Sequence, residues 1–374
     1  MIPAERAHLF VAAQSHKGMK KGKNNEDRYA ISSYSLDDEK KTPALFAIVS
    51  DGVGGHLAGE VAAEMVVNYV SDAIAGSDAQ DPLEIMEQAV CDASLAVHQL
   101  AAEDEEKFGM GATCVCAWVI DRRLYAASVG DSRLYLMRGA VIQQLSTDHT
   151  WIQDALDKGV LTPEQARNHP NAHVIRQYVG GKNLPSVDFR LRYFSSAPKG
   201  EEKADAKKSN QGLRLKAGDT LLLCSDGLTD LVWDDEILEI VRTEKDLESA
   251  AQKLIDTANE RGGHDNITVV LLSVPPEGKT PGLKNPVPWI IGGVVALLLF
   301  LSILVGFIWY LMQAPKTPVP TATATGVPSA IPTETIETTS YAPPPVSASM
   351  TASPSPTIGA TYTPWPTNTP PPLE

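Results

Sequence analysis

The sequence predicts an α+β domain over residues 1–275, with antiparallel sheets flanked by helices, followed by one membrane-spanning helix and a tail that does not fold. Three observations predict this. Strand-like apolar runs cluster with short connections instead of alternating strictly with helices. Segments with helical apolar spacing lie between the clusters. One run of 24 residues, Trp289–Met312, carries no charge. Clustered strands favour antiparallel sheets over a doubly wound parallel fold.

The elements follow in chain order. Ala44–Ser50 (ALFAIVS) is a continuous apolar run that ends at Asp51-Gly52, as a buried strand would. Leu57–Val70 has helical spacing, with Val61, Met65 and Val66 on one face and Tyr69 one turn on. Asp81-Pro82 opens a second helix, whose apolar positions are Leu83, Met86, Val90, Leu95 and Val97. Thr113–Ile120, Arg123–Val129 and Ser132–Arg138 read as strands, the first two joined through Asp121-Arg122 as a tight hairpin. Thr220–Cys224 and Ile267–Val274 are further strands, and Asp148–Lys158 and Leu247–Arg261 are helices. The charged stretch Ala197–Gln211 is expected to be a solvated loop. No repeat of fixed period is present.

Met1–Phe10 contains Glu5, Arg6 and His8 and no sustained apolar run, which is not the pattern of a signal peptide. Residues 276–288 form a linker. As a helix, Trp289–Met312 would span about 36 Å, enough to cross a bilayer core with some tilt. Trp289 at one end and Trp309 and Tyr310 at the other suit the two interfaces. Lys279 and Lys284 before the run and Lys316 after it place the N-terminal domain in the cytoplasm by the positive-inside rule. Residues 313–374 are rich in Pro, Thr, Ser and Ala and have almost no charge. Such a segment cannot bury enough surface to offset its chain entropy, so an extended extracytoplasmic stalk is expected.

The chain of 374 residues carries a formal charge of -14. That argues against a nucleic-acid partner, which needs clustered Lys and Arg, and suits a protein that gathers carboxylates around cations. Of the four cysteines, Cys114 and Cys116 are one residue apart and share a strand face, where packing as small hydrophobes is the expected role. No secreted disulfide framework is present, which favours a reducing compartment.

Five short motifs set an acidic residue beside a turn: Asn25-Glu26-Asp27, Ser50-Asp51-Gly52, Gly130-Asp131-Ser132-Arg133, Ser225-Asp226-Gly227 and Gly262-Gly263-His264-Asp265-Asn266. Each alone would be an ordinary turn. Asp51 and Asp226 follow apolar runs, so their carboxylates end in a half-buried cleft, where an uncompensated charge is costly. Converging carboxylates would also repel one another. Divalent cations relieve both costs. The donors are all oxygens, with no His or Cys pair at zinc spacing, which selects Mg²⁺ or Mn²⁺. His56 and His264 stay outside the expected metal set. Two such ions lower the pKa of a shared water toward neutrality. No Ser or Cys nucleophile stands in a recognisable motif, so attack by an activated water on a phosphate ester is the expected chemistry.

Together the motifs resemble those of the PPM-type, metal-dependent Ser/Thr protein phosphatases, the type 2C class in its bacterial form, over about Ser15 to Val274. The resemblance implies two packed antiparallel sheets with helices on both outer faces, a four-layer α-β-β-α sandwich with the metal cleft at one end. It implies that Asp51 bridges two Mg or Mn ions and that the Gly52 carbonyl binds the second. Asp226 and Asp265 correspond to further ligands of the first ion. Asp27, with Glu26 beside it, holds the cluster directly or through water. Asp131 shares a third, weaker ion with Asp226, and Asn266 supports Asp265. Asp51, Asp226 and Asp265 are thus the expected catalytic residues. Asp148–Gly181, with His169-Pro170 and Arg176, matches a flap that influences substrate access.

Two departures stand out. A phosphate-binding Arg often found five residues before the first Asp is Gly22 here, with Lys23 adjacent and Lys20 and Lys21 upstream. Lysine lacks the bidentate fork of arginine. The His that eukaryotic members carry after the second Asp-Gly, proposed there as general acid, is Val53. The expected function is hydrolysis of phosphoserine and phosphothreonine on cytoplasmic proteins, opposing Ser/Thr kinases, by an enzyme held in the cell membrane. The alternative is a catalytically weak membrane sensor or phosphoprotein-binding module.

Overall fold

The computed structural model describes residues 1–22, 24–53, 58–166, 169–171, 174–193 and 210–276. In chain order the elements are β1 (Ile2–Pro3), β2 (Phe10–His16), β3 (Arg28–Ser35), β4 (Pro43–Ser50), β5 (Gly52–Val53), α1 (Ala58–Gly76), α2 (Pro82–Glu103), β6 (Gly111–Ala112), β7 (Cys114–Ile120), β8 (Arg123–Val129), β9 (Arg133–Arg138) and β10 (Val141–Gln144). Then come α3 (Trp151–Asp157), α4 (Pro163–Ala166), β11 (Leu213–Arg214), β12 (Thr220–Cys224), α5 (Asp226–Thr229), α6 (Asp234–Thr243), α7 (Leu247–Glu260) and β13 (Ile267–Ser273).

Two sheets carry the fold. One runs β1-β3-β4-β7-β8-β11 and the other β10-β9-β12-β13-β2, with every pairing antiparallel. A small pair, β5-β6, stands apart. Alternate residues of β4 explain why its sequence is apolar throughout. Leu45, Ala47 and Val49 face the second sheet, against Leu134, Leu221 and Val270. Phe46 and Ile48 face the other way, onto Val66 and Val70 of α1 and Met86 and Val90 of α2. Both faces are covered, so no polar alternation survives. The outer face of the second sheet packs Leu222, Val269 and Leu271 against Ile237 of α6 and Leu254 and Ile255 of α7. The order of layers is therefore helices, sheet, sheet, helices, as the family resemblance implies.

Several local expectations hold for legible reasons. Asp81 caps α2 by accepting from the Glu84 N–H, with Pro82 at the first helical position. The β7–β8 hairpin turns at Asp121-Arg122, with Asp121 left-handed at φ 53° and Ile120 opposite Arg123. Cys114 and Cys116 are buried on one face of β7, in the same cluster as Met86, and both are reduced.

Other expectations need correction. Tyr69 and Leu95 are exposed, at 46% and 55%, so the buried stripes of α1 and α2 are narrower than their apolar residues suggest. The helix expected over Asp148–Lys158 begins only at Trp151. Asp148 is drawn instead into a bidentate pair with Arg133, and Thr150 Oγ1 caps the helix by accepting from Gln153 N–H. β2, β3 and β10 were not expected, because Ser- and Gln-containing runs such as RYAISSYS and VIQQ carry too little apolar pattern. Gln211, at the end of the expected solvated loop, is part of the fold. Its amide brackets Ala126 and also bonds the Phe189 carbonyl. Among the described residues no helix is long and apolar enough to cross a membrane. The expected span Trp289–Met312 and the stalk 313–374 lie outside the described residues.

Ile48 is fully buried at the centre of β4. Ile48→Ala is expected to lower unfolding stability by about 3–4 kcal/mol, the usual cost of an aliphatic cavity that cannot collapse. Urea unfolding of the full chain checks this, and a loss below about 1 kcal/mol would show that the helix–sheet interface repacks freely.

Candidate metal centre

Five strand ends or turns deliver the aspartates to one place. Asp27 immediately precedes β3, Asp51 follows β4, Asp131 lies in the β8–β9 turn, Asp226 opens α5 after β12, and Asp265 precedes β13. Asp51 interacts electrostatically with Asp27, Asp226, Asp131 and Asp265, so the five form one cluster. Burial, followed by these neighbouring charges, holds the Asp51 carboxyl well above the usual carboxylate range. Burial raises Asp27 to about 7, with the charges of Asp226 and Asp265 adding and the Ser225 and Thr268 hydroxyls opposing. Asp131 is raised by burial and then by Asp226 and Asp148, with Arg133 opposing.

The loops that carry these carboxylates are held by neutral side chains. Thr113 Oγ1 accepts from the Asp51 N–H at 2.8 Å and meets Ser132 Oγ, beside Asp131, at 2.7 Å. Ser50 Oγ donates to the Thr113 carbonyl at 2.6 Å. Ser225 Oγ donates to Asp27 Oδ2 at 2.7 Å and accepts from the Thr268 N–H at 3.0 Å. Asn266 is fully buried. Its Oδ1 accepts from the Glu26 N–H, its Nδ2 donates to the Lys17 and Asn24 carbonyls, and its own N–H donates to Asp265 Oδ1. One amide thus joins the first and last motifs.

Glycines let the chains cross. A Cβ at Gly227 would lie 2.0 Å from the Asn266 carbonyl oxygen. A Cβ at Gly59 would lie 2.8 Å from the Gly52 carbonyl oxygen and 3.1 Å from the Glu26 side chain. Glycine at 59 therefore keeps the Gly52 carbonyl uncovered, which the expected metal contact requires.

The residues fit a divalent cation. Asp27 Oδ1 and Asp131 Oδ1 are buried and make no hydrogen bond among the described residues, an arrangement stable only with a cation or proton to satisfy it. All the donors are hard oxygens. Among the described residues no three His, Cys, Asp or Glu side chains are already grouped so as to hold one ion. A cavity of about 580 Å³ opens beside the cluster, bordered by Asp131, Asp226, Asp265, His264, Ile152 and Trp233.

Of the expected site residues, Asp27, Asp51, Asp131, Asp226 and Asp265 come together, with Gly52, Glu26 and Asn266 around them. Lys23 and His56 lie outside the described residues. His264 is exposed and borders the cavity. Gly22 is left-handed at φ 78° with open space where a side chain would project, so an arginine there would meet backbone strain and no clash. Reading the sequence missed Thr113, Gly59, Ser132 and the two serines of the Ser-Asp-Gly motifs. Only the serines carried a signal, in that both motifs share them. It also missed Arg28, whose guanidinium bonds the Asn25 and Asp27 carbonyls and pairs with Glu60 of α1.

Two outcomes follow. Asn266→Ala removes three hydrogen bonds at a buried position and is expected to destabilise by about 2–4 kcal/mol. A urea midpoint unchanged from wild type would count against its role as the tie. Asp188 behaves differently from the cluster. Burial alone would raise its carboxyl, but His149 and Arg190 outweigh burial and hold it well below the usual range. The folded state then binds fewer protons than the unfolded chain near about pH 4 and below. The stability gap between wild type and Asp188→Asn should be constant at neutral pH and shrink as pH falls below about 4, as unfolding across a pH series would show.

Comparison with known proteins agrees with this geometry. Residues 15–271 match the family described as Protein phosphatase 2C. The serine/threonine phosphatase stp of Listeria monocytogenes is 34% identical over 254 residues, 66% of this chain and 92% of that protein. Protein phosphatase PhpP of Streptococcus pneumoniae is 35% identical over 230 residues, 61% of this chain and 85% of that protein. The crystal structure of the serine/threonine phosphatase PstP/Ppp of Mycobacterium tuberculosis superposes with a TM-score of 0.58 at 31% identity, over 71% of this chain and 99% of that one. The PstP catalytic domain in complex with two manganese ions gives a TM-score of 0.56 at 30% identity, over 71% of this chain and 97% of that one. A match over most of the folded residues, on a two-sheet sandwich whose strand ends gather five aspartates, leaves one assignment: the chain belongs to the Protein phosphatase 2C family and is a metal-dependent protein-serine/threonine phosphatase.

Proposed function

We propose that this chain hydrolyses phosphoserine and phosphothreonine on cytoplasmic proteins at a centre of two Mg or Mn ions, with a third, weaker ion at Asp131, and so opposes Ser/Thr protein kinases. The observation that carries the reading is the convergence of five aspartates from five separate strand ends or turns, two of them with buried carboxylate oxygens that no donor among the described residues satisfies. When bound, the ions supply Lewis acidity, making a water nucleophilic near neutral pH and offsetting charge on the phosphoryl oxygens.

The protein's own part is placement. The Thr113 hydroxyl fixes the Asp51 backbone, Ser225 orients the Asp27 carboxylate, and Asn266 locks Glu26 to Asp265. Such preset groups need no reorganisation when charge develops at phosphorus. The cavity beside them admits a phosphorylated side chain with neighbouring peptide, and its Ile152, Leu156 and Trp233 offer apolar contact. Val53 carries no proton to give, so a water at the leaving oxygen fills that role.

Anchoring belongs to the same proposal. The uncharged run Trp289–Met312 with aromatic ends and the lysines before it support a single-pass span in the cell membrane. The catalytic domain then faces the cytoplasm and the stalk 313–374 lies outside.

The test is Mn²⁺-dependent phosphate release from a phosphothreonine peptide by the full chain. Asp51→Asn and Asp226→Asn should each lower kcat/KM by about a hundredfold or more, since each removes a charge on which the ions depend. Activity that persists in EDTA would refute the metal-dependent mechanism. Tight phosphopeptide binding without turnover would favour the sensor reading instead.

A further inference from the structure

His149 lies outside the aspartate cluster, yet it handles both polar groups of the residue that precedes Asp131. Its ring Nδ1 accepts from the Gly130 N–H at 3.2 Å, and its own N–H donates to the Gly130 carbonyl at 2.9 Å. Gly130 is left-handed at φ 101°, and a Cβ there would lie 2.7 Å from Thr113 Cγ2. The peptide that delivers Asp131 is therefore clamped between Thr113, which also holds Asp51, and His149.

The ring is itself held. With Nδ1 accepting, the proton of the neutral ring sits on Nε2, which faces Asp188 Oδ2 at 3.7 Å. Both side chains are buried, at 8% and 6% exposed. Arg190 fixes the Asp188 carboxylate through Nε, at 2.8 and 2.9 Å, and through Nη2. The Asp188 backbone pairs with Ser128, two residues before Gly130. This closes a circuit from β8 through Asp188 and His149 back to Gly130.

The same residue helps root the segment that borders the cavity. The His149 carbonyl accepts from the Arg176 N–H at 2.7 Å, Thr150 bridges Ile175, and the Trp151 N–H donates to the Val174 carbonyl at 3.0 Å. From that ladder α3 extends, and its Ile152 and Leu156 border the cavity that Asp131, Asp226 and Asp265 also border.

We propose that His149, braced by Asp188 and Arg190, is a positioning residue that sets the Asp131 carboxylate for the weakest metal site and couples that site to the segment that carries α3. The proposal rests on the reading of Asp131 as a metal ligand. A residue that only packs would change stability alone. A residue that positions Asp131 must also change the affinity of one metal site, because outer partners of a ligand tune its binding. Asn reproduces the Nδ1 acceptor with its Oδ1 but cannot reach Asp188. Gln sets its amide farther out and leaves the Gly130 N–H without an acceptor.

The test is Mn²⁺ titration of the full chain by calorimetry, with amide exchange of residues 150–157 followed in parallel. His149→Ala is expected to weaken the lowest-affinity Mn²⁺ site by about tenfold and to speed exchange in α3, while the tighter sites change little. His149→Asn should restore much of the lost affinity, falling short of wild type because it lacks the Asp188 brace, and His149→Gln should not. If His149→Ala does not fold, the Asn and Gln pair decides alone. Unchanged Mn²⁺ affinity in His149→Ala, or equal affinity in the Asn and Gln variants, overturns the positioning role while leaving the phosphatase reading intact. A wild-type chain that binds no Mn²⁺ overturns both.

Discussion

Five carboxylates at one end of two stacked sheets repel one another, and the rest of the structure is arranged to keep them there. Burial and mutual charge push Asp27, Asp51 and Asp131 well above the ordinary carboxylate range. Left alone, such groups would take up protons or move apart. Divalent cations reverse that balance, so the energy of ion binding and the conformation of the site are one quantity. The family's dependence on metal follows from this repulsion.

The groups that restrain the cluster are almost all uncharged. Thr113, Ser132, Ser225 and Asn266 hold backbone and carboxylate in place with hydrogen bonds. Lysine or arginine in those places would neutralise the aspartates and compete with the ions. Arginine is used one step back instead. Arg28 braces the Asn25–Asp27 loop through carbonyls, and Arg133 spends its charge on Asp148. Arg190 does the same on Asp188. Each fixes a loop without donating to the five clustered aspartate carboxylates.

The sandwich makes such a cluster feasible. Sheets covered on both faces have strands rigid enough to end at set positions, and their ends bring distant residues together. Asp27 and Ser225 meet across 198 positions of sequence, and Glu26 and Asn266 across 240. Where loops must cross at contact distance, Gly52, Gly59 and Gly227 supply the room, and at Gly130 the φ value itself demands glycine. On its open side the cavity is bordered by α3, part of a segment tied to residues 174–176 through His149, Thr150 and Trp151.

Much of this was legible in the sequence because the signals were local and strong. Ala44–Ser50 reads as a buried strand, and five acidic turns in one order resemble those of one phosphatase family. The resemblance, more than the pattern itself, implied the layer order and the members of the cluster. What tertiary structure decided was everything carried by pairing across distance. β3 and β10 exist because a neighbour supplies their hydrogen bonds, and RYAISSYS and VIQQ have no apolar pattern of their own. Asp148 leaves the expected helix because it pairs with Arg133 at the start of β9. Thr113, Gly59 and His149 have no motif, since a hydroxyl, a missing Cβ or a ring nitrogen acquires meaning only from what folding sets beside it. By itself the sequence picked out which charges converge; the fold alone decided which neutral groups hold them in place, because single hydrogen bonds leave no periodic trace in a chain.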